Sequence, residues 1–135
     1  MNVTTQKGLL AIAAVVECLT GVAIILVPGI VIALLLGVEP NSAAIMIARL
    51  LGVALLCIGI ACWGATGDTV GSARTGTLRA ITLYNAGVGL SLVAYAAGGM
   101  AHGWLVWIAS ILHLCLATAF AASGYSRPAS AKSGV

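Results

Sequence analysis

Four apolar stretches of about twenty residues each fill most of this chain, and each carries a single strongly polar residue near its middle. Twenty residues of α-helix rise about 30 Å, which matches the hydrocarbon core of a bilayer. Hydrophobic residues make up 61% of the chain and charged residues only 7%, against roughly 25% charged residues in soluble domains. The sequence therefore predicts an integral membrane protein.

The expected fold is all-α, an antiparallel four-helix transmembrane bundle with spans at about residues 8–27, 43–64, 78–97 and 103–122. Pro28 and Gly29 follow the first span, and proline cannot continue a helical hydrogen-bond ladder. Asn41 or Ser42 can cap the second span. Residues 30–38 are almost wholly apolar but would rise only about 13 Å as a helix. We expect them to form a short interfacial helix.

The basic residues predict how the chain is oriented in the membrane. In a four-span arrangement one side carries the basic residues Lys7, Arg74, Arg79, Arg127 and Lys132. The other side has Glu39 and no basic residue outside the spans. By the positive-inside rule both termini are cytoplasmic. Residues 1–125 are expected to form one domain, and residues 126–135, rich in Ser, Ala and Lys, a disordered cytoplasmic tail.

The four polar residues inside the spans are Glu17, Arg49, Asn85 and His113. A charge at the centre of a bilayer costs about 2.5–3.5 kcal/mol on insertion scales. We therefore expect these side chains to face the interior of the bundle, with Glu17 and Arg49 paired, and to bind a ligand. Two alternatives remain open. The set could fix helix register without binding anything, or Arg49 could extend towards the interface and take no part.

A cavity is expected beside this polar set. Glu17 and His113 lie at similar depth in their spans, and small residues accompany them on the same helix faces. We expect a small cavity that reaches the level of Glu17 and His113 from the non-cytoplasmic side, with residues 30–38 as a lid.

Other chemistry is sparse in this sequence. Cys18, Cys57, Cys62 and Cys115 form no CxxC motif and are interpreted as small hydrophobic residues. His102 and His113 have no third conventional metal ligand beside them, so we expect no metal and no cofactor. The scattered basic residues do not form a patch with interleaved aromatics, which argues against binding to nucleic acid.

The segment from Ala48 to Gly59, with the Pro28–Gly29 turn and the apolar residues 30–38 before it, resembles the DoxX-like membrane proteins of bacteria. The similarity covers about residues 8–64. It implies a four-helix protein of the bacterial inner membrane, in a family with members linked to quinone-coupled sulfur oxidation. In that family an acidic residue usually occupies the position of Arg49, whereas the acid here is Glu17 on the first helix.

The sequence favours a small multi-pass membrane protein without enzymatic activity. It would bind a small amphipathic or lipid-like ligand, such as a lipid or a quinone, or act as an accessory subunit of a membrane complex. Two alternatives remain. One is a membrane enzyme, either a quinone-linked oxidoreductase or an isomerase, in which Glu17 and His113 serve as base and acid. The other is a homo-oligomeric transporter or proton-conducting protein.

Overall fold

The computed structural model describes residues 3–67 and 71–124, which form five helices. The helices are α1 (Val3–Leu26), α2 (Pro28–Leu36), α3 (Ser42–Gly67), α4 (Ser72–Ala97) and α5 (Leu105–Gly124). Within the described residues, α1, α3, α4 and most of α5 are long and apolar enough to cross a membrane. The predicted all-α bundle of four antiparallel spans with one short helix is confirmed.

The outer surface of the bundle is apolar along its length. Large hydrophobic side chains such as Leu19, Leu50, Ile60, Leu83 and Ile111 are each more than 60% exposed. In a water-soluble protein such a continuous apolar surface would promote aggregation, whereas in a bilayer it faces lipid. The chain is therefore a small multi-pass membrane protein.

The four spans are arranged as two closely packed pairs, α1 with α3 and α4 with α5, and the contact between α3 and α4 is sparse. Glycines allow the close approach of α1 and α3. A Cβ atom added at Gly21 would lie 2.7 Å from the carbonyl oxygen of Gly52, and one added at Gly59 would meet the side chain of Cys18. Small residues at these positions let the two backbones touch.

Two ends of the bundle can be distinguished. At the terminal end, where α1 and α4 begin and α3 and α5 end, Nε2 of Gln6 donates a hydrogen bond to the carbonyl oxygen of Ser123. At the opposite end, the α2 end, the backbone N–H of His102 donates to the carbonyl oxygen of Leu36. This bond holds α2 against the start of the last span.

The helix boundaries differ from the predicted ones where polar residues extend a helix. The fourth helix begins at Ser72 rather than near residue 78, because the Ser, Ala, Arg and Thr residues there can continue a helix although they are not hydrophobic. The short helix begins at Pro28, since a proline is tolerated in the first turn. It ends at Leu36, and its C-cap Gly37 has a left-handed φ of 73°. Asn41 or Ser42 was the predicted cap of α3, and Oδ1 of Asn41 accepts a hydrogen bond from the Ala44 N–H. The predicted tail at residues 126–135 lies outside the described residues.

Candidate functional site

Glu17 is the most deeply buried acidic residue that the structure describes. It lies on the inner face of α1 and is 1% exposed. Its Oε2 accepts a hydrogen bond of 3.2 Å from the hydroxyl of Tyr84 on α4. Its Oε1 is also buried and has no hydrogen-bond partner among the described residues. The carboxyl group therefore keeps one oxygen available for a further donor.

Asn85 and His113 form a second polar pair that links α4 to α5. The Nδ2 of Asn85 donates to the carbonyl oxygen of Ile81 at 2.8 Å, which turns its Oδ1 towards the imidazole. That oxygen lies 2.8 Å from Nδ1 of His113. Because an amide oxygen can only accept, this geometry assigns the proton to Nδ1 of His113.

Tyr84 connects the two pairs. Its ring packs edge-on against the imidazole of His113, with centroids 5.8 Å apart and an interplanar angle of 79°. An aromatic ring in this orientation presents its positive edge to a neighbouring π face. Glu17, Tyr84, His113 and Asn85 thus form one contiguous group across α1, α4 and α5, which we call the polar cluster.

Three of the four predicted site residues belong to this cluster, and Arg49 does not. Arg49 is exposed on α3, and neither oxygen of Glu17 bonds to it. The helix register explains why, since Cys18, next to Glu17, lies against Gly59 of α3. Arg49 is ten residues from Gly59, or about 15 Å along the helix. The predicted Glu17–Arg49 pair was wrong.

Tyr84 is the member of the cluster that the sequence interpretation missed. It was overlooked because tyrosines in membrane proteins are usually assigned to the interface. A signal was available, however, because Tyr84 directly precedes Asn85 in the middle of a span. A phenol hydroxyl at that depth requires a hydrogen-bond partner within the protein.

A groove runs along the side of the bundle between α3 and α4, and Tyr84 forms part of its wall. The groove has a volume of about 290 Å³. Its lining residues are Ile58, Ala61, Cys62, Thr77, Ala80, Ile81 and Tyr84. A cavity of about 150 Å³ lined by hydrophobic side chains can hold benzene, so this groove has room for a single ring with substituents. Its walls are mainly aliphatic, and its polar contacts come chiefly from Tyr84 and Thr77.

The position of this groove differs from the predicted cavity. We expected an opening at the α2 end with α2 as a lid, but the groove opens sideways, and its α4 wall runs from Tyr84 towards the terminal end. No residue of α2 lines this groove. A second, wholly apolar groove of about 210 Å³ lies between α1 and α3, and no residue of α2 lines that groove either. The sparse contact between α3 and α4 leaves this space, because each of these helices packs closely on its other neighbour.

The described residues contain no group of three or more His, Cys, Asp or Glu side chains that could hold a metal ion. Comparisons of the chain with protein families, with curated proteins and with solved structures find no match.

Proposed function

We propose that this protein binds a small amphipathic molecule that enters from the bilayer through the groove between α3 and α4. The observation that carries the proposal is the position of Tyr84. Its ring lines the groove, and its hydroxyl bonds to a buried carboxyl group whose other oxygen has no partner. The groove is thus apolar and open to lipid, and Tyr84 connects it to the carboxyl group of Glu17, which has one oxygen without a partner among the described residues.

The dimensions and chemistry of the groove favour a ligand with one polar ring and an apolar tail. A volume of about 290 Å³ is at the lower limit of ordinary ligand pockets, so a headgroup fits and a whole lipid does not. The aliphatic side chains of Ile58 and Ile81 suit a hydrocarbon tail. A hydroxyl or N–H on the ring could donate to the free Oε1 of Glu17, if the Tyr84 side chain moves aside. A hydroxyl or N–H on the ring could also donate to the hydroxyl oxygen of Tyr84, whose own hydrogen is bonded to Glu17.

The resemblance to the DoxX-like family, carried by residues 48–59 and the Pro28–Gly29 turn, supports a quinone as the ligand within this class. Under that proposal the protein lies in the bacterial inner membrane with both termini cytoplasmic. A ring bearing two hydroxyl groups, as in the reduced form of a quinone, meets the requirements of the groove, because a hydroxyl can donate to the Tyr84 oxygen or to Oε1 of Glu17.

The test is retention of ligand by a variant with a filled groove. Ala61 lines the groove and is exposed, so Ala61→Phe should occupy the space without disturbing the packed core. Ala54→Phe is the matched control, because Ala54 is an exposed alanine on the same helix, outside the groove. Quinones and lipids extracted from the purified proteins are counted by mass spectrometry. We expect wild type and Ala54→Phe to retain one class of molecule in stoichiometric amount and Ala61→Phe to lose it. Equal extracts from all three proteins would refute the proposal.

A further inference from the structure

Arg74 is a buried cation whose hydrogen-bonding capacity is largely unused. It lies in the first turn of α4 and is 2% exposed. Its Nη2 donates to the carbonyl oxygen of Val3 at 3.1 Å, while Nε and Nη1 have no hydrogen-bond partner among the described residues. A guanidinium carries five N–H donors, and a buried charge without partners is costly. This side chain therefore requires an acceptor that the described residues do not supply.

The surroundings of Arg74 carry positive potential. Its bond to Val3 brings the first residues of α1 and α4 together, and a helix N-terminus is equivalent to roughly half a positive charge. No side chain caps the start of α4 at Gly71. The helices that end nearby contribute the opposite dipole, but the Ser123 carbonyl near the end of α5 is already bonded to Gln6.

The charged side chains that the structure describes near this end of the bundle are basic. Lys7 is the fifth residue of α1, and Arg79 is the eighth residue of α4. The acidic residues that the structure describes are Glu17, buried in the polar cluster, and Glu39, which lies at the α2 end. None of the described acids is therefore placed to balance Arg74.

We infer that the terminal end of the bundle binds a phosphate group, either of a phospholipid headgroup or of free phosphate, with Arg74 as its principal contact. The guanidinium fork matches phosphate oxygens in a bidentate geometry. The site lies at the ends of the spans, at the depth where lipid phosphates are found. Because the free donors are covered, binding requires the side chain or its covering residues to shift.

The test measures lipid binding to the whole chain by native mass spectrometry in detergent. Wild type is titrated with phosphatidylglycerol, with phosphatidylcholine and with inorganic phosphate. The variants are Arg74→Gln, which removes the charge, and Arg79→Gln, the matched control, since Arg79 is an exposed arginine on the same helix. Hydrogen bonds to charged groups contribute about 1.5–3 kcal/mol, so Arg74→Gln should weaken phosphatidylglycerol binding about tenfold to a hundredfold. Arg79→Gln should change it by less than about threefold.

The arms separate the sources of the phosphate. If both phospholipids bind to wild type and not to Arg74→Gln, the ligand is the phosphate diester of a lipid. If inorganic phosphate is the only probe that binds to wild type, the same site binds a free anion. If Arg74→Gln does not fold, Arg74→Lys keeps the charge and removes the fork, and weaker binding by that variant supports the inference. Asp68→Asn tests whether Asp68, the acidic residue nearest to Arg74 in the sequence, affects stability or binding. The inference is overturned if wild type binds none of the three probes, or if Arg74→Gln leaves binding unchanged, whatever Asp68→Asn and Arg74→Gln do to stability.

Discussion

The hydroxyl of Tyr84 donates a hydrogen bond to Oε2 of Glu17 at 3.2 Å and so links α4 to α1 across the interior of the bundle. The two helices belong to different close-packed pairs, α1 with α3 and α4 with α5. This bond is therefore one of the polar contacts that join the two halves of the molecule. Tyr84 also lines the groove between α3 and α4, so the same contact serves the architecture and the proposed site.

We expect Tyr84 and Glu17 to be energetically coupled. Hydrogen bonds between membrane helices contribute on average about 0.6 kcal/mol and at most about 1.7 kcal/mol. A double-mutant cycle with Tyr84→Phe and Glu17→Ala, measured by unfolding in mixed detergent, should give a coupling energy in that range. Tyr95→Phe is the control, because Tyr95 is exposed on the same helix. Strict additivity of Tyr84→Phe and Glu17→Ala would mean that the hydrogen bond contributes nothing.

Arg49 should contribute little to stability. Its side chain is exposed and does not bond to Glu17, and surface substitutions usually change stability by no more than about 0.5 kcal/mol. Arg49→Leu should stay within that limit, and it should not rescue Glu17→Ala. Thermal unfolding of both single variants and the double variant in detergent provides the measurement. If Arg49→Leu recovered the stability that Glu17→Ala loses, that result would support the Glu17–Arg49 pair, which the structure contradicts.

The close contact of α1 and α3 should depend on glycine. A Cβ atom at Gly52 would lie 2.8 Å from the carbonyl oxygen of Gly21 and 2.7 Å from the Ile25 side chain. Overpacking of this kind costs about 1–3 kcal/mol, so Gly52→Ala should destabilise the protein by that amount. Gly64→Ala is the control on the same helix, because nothing lies within 4 Å of a Cβ there. Equal stabilities of the two variants would show that the helices are not in this register.

Glu39 and Thr75 should be labelled from opposite sides of the membrane. Both are exposed, Glu39 at the α2 end and Thr75 at the terminal end. Single cysteines at these positions, in a variant without the four native cysteines, are treated with a membrane-impermeant maleimide in right-side-out and inverted vesicles. We expect Thr75→Cys to react from the cytoplasmic side and Glu39→Cys from the other. Reaction of both from one side would contradict the four-span topology.

The sequence was sufficient to predict the spans but not the way in which they pair. Span length and the Pro28 and Asn41 signals depend on local physics, so the four helices and their order could be read directly. The register of α1 against α3 depends on which glycines meet. Gly21 and Gly52 make a close contact, whereas Gly87, another glycine within a span, has nothing within 4 Å of its Cβ position. Depth counted along each span from its end could not supply that register.

The same limitation explains the errors at the site. Glu17, Asn85 and His113 were predictable because a polar residue in a span needs an interior position. Arg49 was misassigned because a long side chain near a span end can remain exposed without a partner. The position of Tyr84 beside Asn85 indicated that its hydroxyl needs a partner, but the sequence of α4 alone does not reveal that the partner is Glu17 on α1.

The most direct test of the central claim is chemical access from the bilayer to Glu17. Dicyclohexylcarbodiimide, which dissolves in lipid and reacts with carboxyl groups, is applied to the protein in liposomes, and the modified residues are identified by peptide mass spectrometry. A water-soluble carbodiimide is the control reagent, and the exposed Glu39 is the control residue. We predict that the lipid-soluble reagent modifies Glu17 in wild type and in Ala54→Phe, and that Ala61→Phe prevents it. If the lipid-soluble reagent does not modify Glu17 in wild type, or modifies it to the same extent in Ala61→Phe, that result would contradict a lateral path through the groove between α3 and α4.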